Sequence, residues 1–299
     1  MKQLCLLLTI LFSAAIVYAQ TKKIQPFTGA MTIENGIRYD DLEIKIKDNL
    51  LLTPDIPQNE ELVIRITKPW SFIADAKGNV HPGIGFRVAD KTGKILTSTE
   101  NIYKNDKEGI NQNYLSALSF TITLDDKMKV NDSLTIYTKF FDTKNGDSLL
   151  VILPCKVVPI GKAQTLDGWN SFSSTFGATG MYVNCKAESF EMKKTYAKLE
   201  TATNVDTILL SVKTLGDFVL KNNKAFLKAD YILYDKDFHV IETRPLFANA
   251  AEGLSVTELT NIKQSFILPA GFHNGIARIM ITDKNGKGKL DAIFNFVYL

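Results

Sequence analysis

The sequence predicts an all-β protein, two tandem immunoglobulin-like, Greek-key β-sandwich domains related by internal duplication. Three observations predict it. Short runs alternate apolar and polar residues with a period of two, turn residues punctuate those runs at close spacing, and a series of segments in the first half recurs in order in the second.

The alternation is clearest at Leu118-Ser119-Phe120-Thr121-Ile122-Thr123-Leu124, where four apolar side chains fall on one face and three hydroxyls on the other. Leu42, Ile44 and Ile46 alternate with Glu43, Lys45 and Lys47, Leu62, Ile64 and Ile66 with Val63, Arg65 and Thr67, and Ile84, Phe86 and Val88 with Gly85, Arg87 and Ala89. β-Branched and aromatic residues dominate these runs, as a pleated, half-buried surface favours. Asp90-Lys91-Thr92-Gly93 reads as a turn between two short strands, and Lys144-Asn145-Gly146-Asp147 as a hairpin between Leu134–Phe141 and Leu149–Val158. Asn285-Gly286 repeats that signal near the C-terminal end. About seven strands per copy follow, the count of an immunoglobulin-like sandwich, although the Cys…Trp…Cys signature of true immunoglobulin domains is absent. No window sustains a helical stripe, and the best helical candidates are short turns near Asn101–Tyr114 and Phe247–Leu259.

The repeat is low in identity but collinear. Asp40–Lys45 matches Glu188–Lys193, Leu62, Ile64 and Ile66 match Ile208, Leu210 and Val212, and Asp90–Leu96 matches Asp235–Ile241. Ser119-Phe120 matches Ser265-Phe266, and Lys144-Asn145-Gly146 matches Lys284-Asn285-Gly286, with every offset between 140 and 148. The copies read as roughly 27–158 and 176–299. Adding the flanking segments gives a signal peptide over 1–19, a first sandwich domain over 20–158, a linker over 159–180 and a second domain over 181–299. The linker assignment rests on its Gly, Ser and Thr content and its lack of period.

Lys2, the apolar run Leu4–Val17 and the small-residue site Val17-Tyr18-Ala19 read as a secretory signal cleaved after Ala19. Cys5 lies too early for a lipoprotein cysteine, so no lipid anchor is expected, and no later stretch is apolar for long enough to form an integral membrane span. Export makes a disulfide between Cys155 and Cys185 the candidate pairing, against two separate buried thiols. With 35 Lys and Arg against 32 Asp and Glu, the chain lacks the whole-molecule field of a dedicated nucleic-acid binder.

Catalytic and metal motifs are missing. His81, His239 and His273 form no HExxH or HxH pattern, so no metal site is expected, and neither a GxSxG elbow nor a phosphate-binding loop implies a cofactor. Asp142-Thr143-Lys144-Asn145-Gly146-Asp147 resembles a short calcium loop, but it lacks the length and closing Glu of an EF-hand and reads as a hairpin turn. Trp70, Trp169 and Phe172 are the candidates for ligand or partner contact, since loop aromatics stack on sugars or anchor protein partners. For Trp70 core packing is the expected role, because it precedes Phe72, whose counterpart Phe218 is also aromatic. Trp169 divides between a domain interface and a binding patch. Ser133, Ser148 and Thr207 each stand between an Asp and an aliphatic residue, a pattern that looks like the O-glycosylation sequence of some Gram-negative envelope systems, and that a turn leading into a strand also produces.

These readings converge on an exported, non-catalytic binding or scaffolding protein of a bacterial cell envelope, periplasmic or extracellular, with a protein partner or a glycan as ligand. A carbohydrate-binding module and a hydrolase with dispersed catalytic residues are the alternatives.

Overall fold

The computed structural model describes residues 21–296 apart from 107, 164, 167–169, 174–177, 184, 186, 188, 199–203, 248–251 and 270–274. The segment read as a signal peptide, 1–19, lies outside the described residues. The regular structure of the described chain is almost entirely β-strand, and none of its helices is long and apolar enough to cross a membrane.

Two compact units emerge. Unit 1 contains Met31–Lys47 and Asp55–Gly161, and unit 2 contains Lys23–Ala30, Asp48–Pro54 and the chain from Lys162 onward. In unit 1 the strands β1 (Met31–Asn35), β10 (Ser148–Val158), β9 (Ser133–Asp142), β5 (Pro82–Asp90) and β6 (Ile95–Thr99) form one sheet in that order. The strands β2 (Asp41–Ile46), β3 (Glu61–Thr67) and β8 (Ala117–Thr123) form the other, and β4 (Asn79–Val80) pairs with β7 (Ile110–Asn111) near one end. The chain crosses from β6 to β8 in the opposite sheet and returns at β9, the crossing that a Greek-key sandwich requires.

The period-two runs explain the layers. On β2 and β3 the inward residues Leu42, Ile44, Ile46, Leu62, Ile64 and Ile66 are buried, and across from them Ile84, Val88, Ile136, Phe140, Val151 and Leu153 are buried too. Phe86 of β5 meets Phe120 of β8 with ring centroids 4.7 Å apart, joining the two sheets. Each such apolar side chain contributes roughly 1.5–3 kcal/mol on burial.

Unit 2 follows the same order. The strands β11 (Ala178–Val183), β20 (Lys289–Phe296), β19 (Gly275–Asp283), β15 (Leu227–Asp235) and β16 (Val240–Pro245) form one sheet, and β12 (Ser189–Lys198), β13 (Asn204–Lys213) and β18 (Asn261–Ile267) the other. The short strands β14 (Lys224–Ala225) and β17 (Leu254–Ser255) pair as β4 and β7 do, and β17 runs into a one-turn helix α1 (Val256–Leu259) closed by a Ser255/Glu258 capping box. An apolar cluster that includes Ile208, Leu210, Tyr231, Leu233, Ile279 and Leu290 fills the space between the sheets.

Two boundaries differ from the sequence reading. Lys23–Ala30 and Asp48–Pro54 pack with unit 2 because a buried polar group holds them there. Asp291 is fully buried and accepts from the Phe27 N–H at 2.9 Å, while the Lys289 ammonium donates to the Leu52 carbonyl at 2.5 Å. The segment expected as a linker also carries strands. Thr165–Leu166 pairs with Asn49–Leu51, and Asn170–Ser173 pairs with β11.

Candidate functional site

The side-chain chemistry that sets unit 1 apart collects in its β3–β4 connection, residues 68–78, and the loops bonded to it. Asp142 organises that end. Its carboxylate is fully buried at the start of the β9–β10 hairpin, where Oδ1 accepts from the Lys144 N–H and Oδ2 from the Ile73 N–H, each at 2.8 Å. The hairpin is thereby stapled to the 68–78 loop. The Asp142–Asp147 segment, which resembles a calcium loop, is a hairpin turn whose first carboxylate is occupied by main-chain amides. Thr143 adds two more ties, donating from its N–H and its hydroxyl to the His81 carbonyl.

Within the loop, the carboxylate of Asp75 nucleates a turn. Its Oδ1 accepts from the Lys77 and Asn79 N–H groups, and its Oδ2 lies 3.0 Å from Nε2 of His81. The His81 contact, with the Asn79 N–H next, holds the Asp75 carboxyl well below the ordinary range, at about 2. Gly109 permits the arrangement. Its φ is +73°, and a Cβ there would stand 2.6 Å from the Val80 carbonyl oxygen and 2.9 Å from Cε1 of His81. A hollow of about 420 Å³ opens beside this turn, lined by Asp75, Ala76, Lys77, Asn79 and Glu108.

Trp70 lies five residues before Asp75. It exchanges main-chain hydrogen bonds with Arg38, and the Arg38 guanidinium stands 5.4 Å from the indole centroid. Trp70 is 51% exposed, which corrects its expected core role. The reason is local. Ser71 takes a φ of +82°, and that reversal sends Phe72 into the core while Trp70 stays outside. Ile73 and Tyr114 are also exposed.

The Asp75–His81 pair has the geometry of a carboxylate orienting an imidazole. Among the described residues, however, no hydroxyl or thiol is hydrogen-bonded to the His81 ring, and no group of three or more His, Cys, Asp or Glu is placed to hold a metal ion. What the arrangement offers chemically is a half-exposed indole with a cation stacked on it, a polar hollow, and a main chain braced by carboxylates.

Trp169 lies outside the described residues, as does the side chain of Phe172, whose main chain is in the Asn170–Ser173 strand. Cys155 and Cys185 are two separate buried thiols, the alternative to the candidate disulfide. Cys155 faces inward from β10 in line with Leu153 and Val157, whereas Cys185 belongs to the apolar cluster of unit 2 and donates to the Lys289 carbonyl at 3.3 Å. Burial pushes the Cys155 thiol up to about 12, which makes it a poor thiolate. Of the three hydroxyls in the glycosylation-like pattern, Ser133 is exposed, but Ser148 and Thr207 are buried and out of reach of an enzyme on the folded protein. Sequence reasoning missed Asp75, Arg38 and the role of Asp142. The first had a signal in Asp75-Ala76-Lys77-Gly78, the same Asp-x-x-Gly spacing as Asp90–Gly93.

No family model matches the chain, and no curated protein matches it. The weakly similar solved structures include the following two. One, titled pT26-6p, is 10% identical, with 92% of this chain and 64% of that one covered at a TM-score of 0.22. The other, a β-glucuronidase of Bacteroides uniformis, is 12% identical, with 80% of this chain and 26% of that one covered at a TM-score of 0.17. The chain spans less than two thirds of the length of either, and neither likeness carries an argument about fold or function.

Proposed function

We propose that the chain is an exported, non-catalytic binding protein of a bacterial cell envelope, made by duplication of one β-sandwich unit, with the 68–81 end of unit 1 as its contact surface. One observation carries the reading. The two units share a strand order and a set of turns, but only unit 1 places Trp70 with Arg38 and Asp75 with His81 there, where unit 2 has Gly216 and Phe226. A braced frame that varies its exposed loop chemistry is the pattern of a binding scaffold. The N-terminal segment 1–19 supports export, to the periplasm or beyond, without a lipid anchor. Ser133, the exposed hydroxyl of its pattern, is the one position open to O-glycosylation. The test is retention of an envelope component by the immobilised chain, with Trp70→Ala and Arg38→Ala as controls. The parent should retain a component that both variants release. Equal retention by all three, or none by the parent, overturns the reading.

A second reading, carbohydrate binding, is favoured by the half-exposed indole of Trp70 and by a hollow lined with two carboxylates, an amide and an ammonium group, all of which bond sugar hydroxyls. Binding on a broad glycan array that Trp70→Ala abolishes supports it, and silence across the array removes it.

A further inference from the structure

Sheet edges expose main-chain donors and acceptors, and proteins usually guard them with a bulge, a charge or a proline. Three edges of this protein are guarded. β6 pairs with β5 through a bulge at Val88/Ala89, and β16 pairs with β15 through a bulge at Leu233/Tyr234 and carries Glu242, Arg244 and Pro245. β18 carries Lys263. β8 differs from all three. It runs Ala-Leu-Ser-Phe-Thr-Ile-Thr in unbroken register against β3 over its whole length, with no charge, proline or bulge, and among the described residues β3 is its only strand partner.

The phase of its ladder is fixed. Lys68 donates to the Ser116 carbonyl, so the even-numbered residues bond toward β3. The N–H and C=O groups of Ala117, Ser119, Thr121 and Thr123 therefore point away from the sheet. On the faces, Leu118 and Phe120 are buried, while Ser119, Thr121 and Thr123 are exposed.

From this pattern we infer that β8 is a pairing edge for a second copy of the chain, two β8 strands meeting antiparallel about a two-fold axis at Phe120. The strand reads alike from either end about that residue: apolar, hydroxyl, Phe, hydroxyl, apolar. In this register Leu118 stands opposite Ile122 of the second copy, Ser119 opposite Thr121, Ala117 opposite Thr123 and Phe120 opposite itself. Apolar meets apolar on the core side, and on the solvent side the central Ser119 and Thr121 bring hydroxyl against hydroxyl, the matches that stabilise neighbouring strands. The outward groups also fall into phase, because Ser119 and Thr121 form one hydrogen-bonded pair and Ala117 and Thr123 another, each exchanging two bonds. No like charges oppose one another, and the two β8 sheets become one. An unrelated strand would have to meet face, phase and residue class together. A second copy meets them by symmetry.

Sedimentation of the full-length chain over a range of concentrations tests it. The parent should pass from monomer to dimer. Ser119→Lys/Thr121→Lys places lysines opposite one another at both symmetric positions and should weaken dimerisation by more than about tenfold, as should Ser119→Glu/Thr121→Glu. Mixed together, the two variants should pair. Hydrogen exchange on the unaltered chain gives a reading free of any folding defect, since the Ala117, Ser119, Thr121 and Thr123 amides should slow as concentration rises. A parent that stays monomeric, variants that dimerise alone as well as the parent, variants that fail to pair when mixed, or exchange that ignores concentration would each overturn the inference.

Discussion

Where unit 1 carries Trp70 and His81, unit 2 carries Gly216 and Phe226, yet the main chain around both pairs takes the same form. Lys68 and Ser71 have positive φ, and so do Thr214 and Asp217, 146 positions later. Phe72 and Phe218 are both buried just beyond the reversal. Asp142 accepts from the Ile73 N–H at 2.8 Å, and Asp283 accepts from the Val219 N–H at 2.7 Å. Asp90 receives the Thr92 and Lys94 amides, and Asp235 the Asp237 and His239 amides, each turn followed by a bulge. Gly109 and Gly253 both have φ of +73°, and a Cβ added at either would meet His81 or Phe226 respectively. What is shared is the set of side chains that satisfy main-chain groups. What differs is what those turns present to solvent. A buried N–H must have an acceptor wherever it occurs, so the residues that supply one are the hardest to exchange.

The same comparison locates the costliest difference. In unit 2, Arg278 donates to both oxygens of Asp291 in a buried pair, and Asp291 also receives the Phe27 N–H. The corresponding ladder positions of unit 1, taken from the β9–β10 and β19–β20 registers, hold Tyr137 and Leu150. Asp291 outweighs the burial that disfavours the Arg278 charge, and the arginine stays protonated. Removing one partner of such a pair strands a charge in the interior. Arg278→Met should therefore destabilise unit 2 by about 3–5 kcal/mol in chemical denaturation, the largest effect expected here. Arg278→Tyr/Asp291→Leu, which imports the unit 1 solution, should recover part of that loss. A double variant no better than the single one would mean that the Phe27 tie, and not the charge pair, dominates.

Next in size are the hairpin aspartates. Asp142→Ala and Asp283→Ala each leave a loop amide and a turn amide without their acceptor, at a cost of about 1–3 kcal/mol for a buried group. The comparison requires similar losses from the two. A large loss in one and none in the other would show that the shared geometry carries different weight in the two units.

Much of this frame was legible in the sequence. The alternation at Leu62–Thr67 and Leu118–Thr123 gave β3 and β8 with the right inward faces, because an aqueous face and a core face impose a period of two on any strand between them. Asn145-Gly146 announced the β9–β10 hairpin through backbone preference alone. The site was much less legible. Trp70 looked like core because it neighbours Phe72, and only the positive φ at Ser71, which a serine does not advertise, separates the two. The 278–291 pair was invisible because its members are 13 residues apart on adjacent strands and read as ordinary surface charges. The packing of Lys23–Ala30 with unit 2 follows from the Asp291 contact and was equally hidden. Long-range polar contacts leave no periodic trace.

The smallest effect separates the units by pH rather than by stability. Asp75 owes its low pKa of about 2 first to His81, a partner that unit 2 replaces with Phe226. A carboxylate held below its unfolded value of about 4 favours the folded loop above that pH and loses the advantage as pH falls through about 2. Carboxyl carbon shifts should show Asp75 titrating near the lower value in the parent and moving up toward the ordinary range in His81→Phe, the substitution that imposes the unit 2 residue. The Asp235 carboxyl provides the internal control. Burial works to raise it, and the His239 main-chain and ring contacts outweigh that and hold it low. It should be unmoved by His81→Phe and should rise in His239→Ala, though the His239 N–H contact survives. An Asp75 that titrates at the ordinary value in the parent would remove His81 as the feature that distinguishes the loop end of unit 1, and would leave Trp70 and Arg38 to carry that distinction.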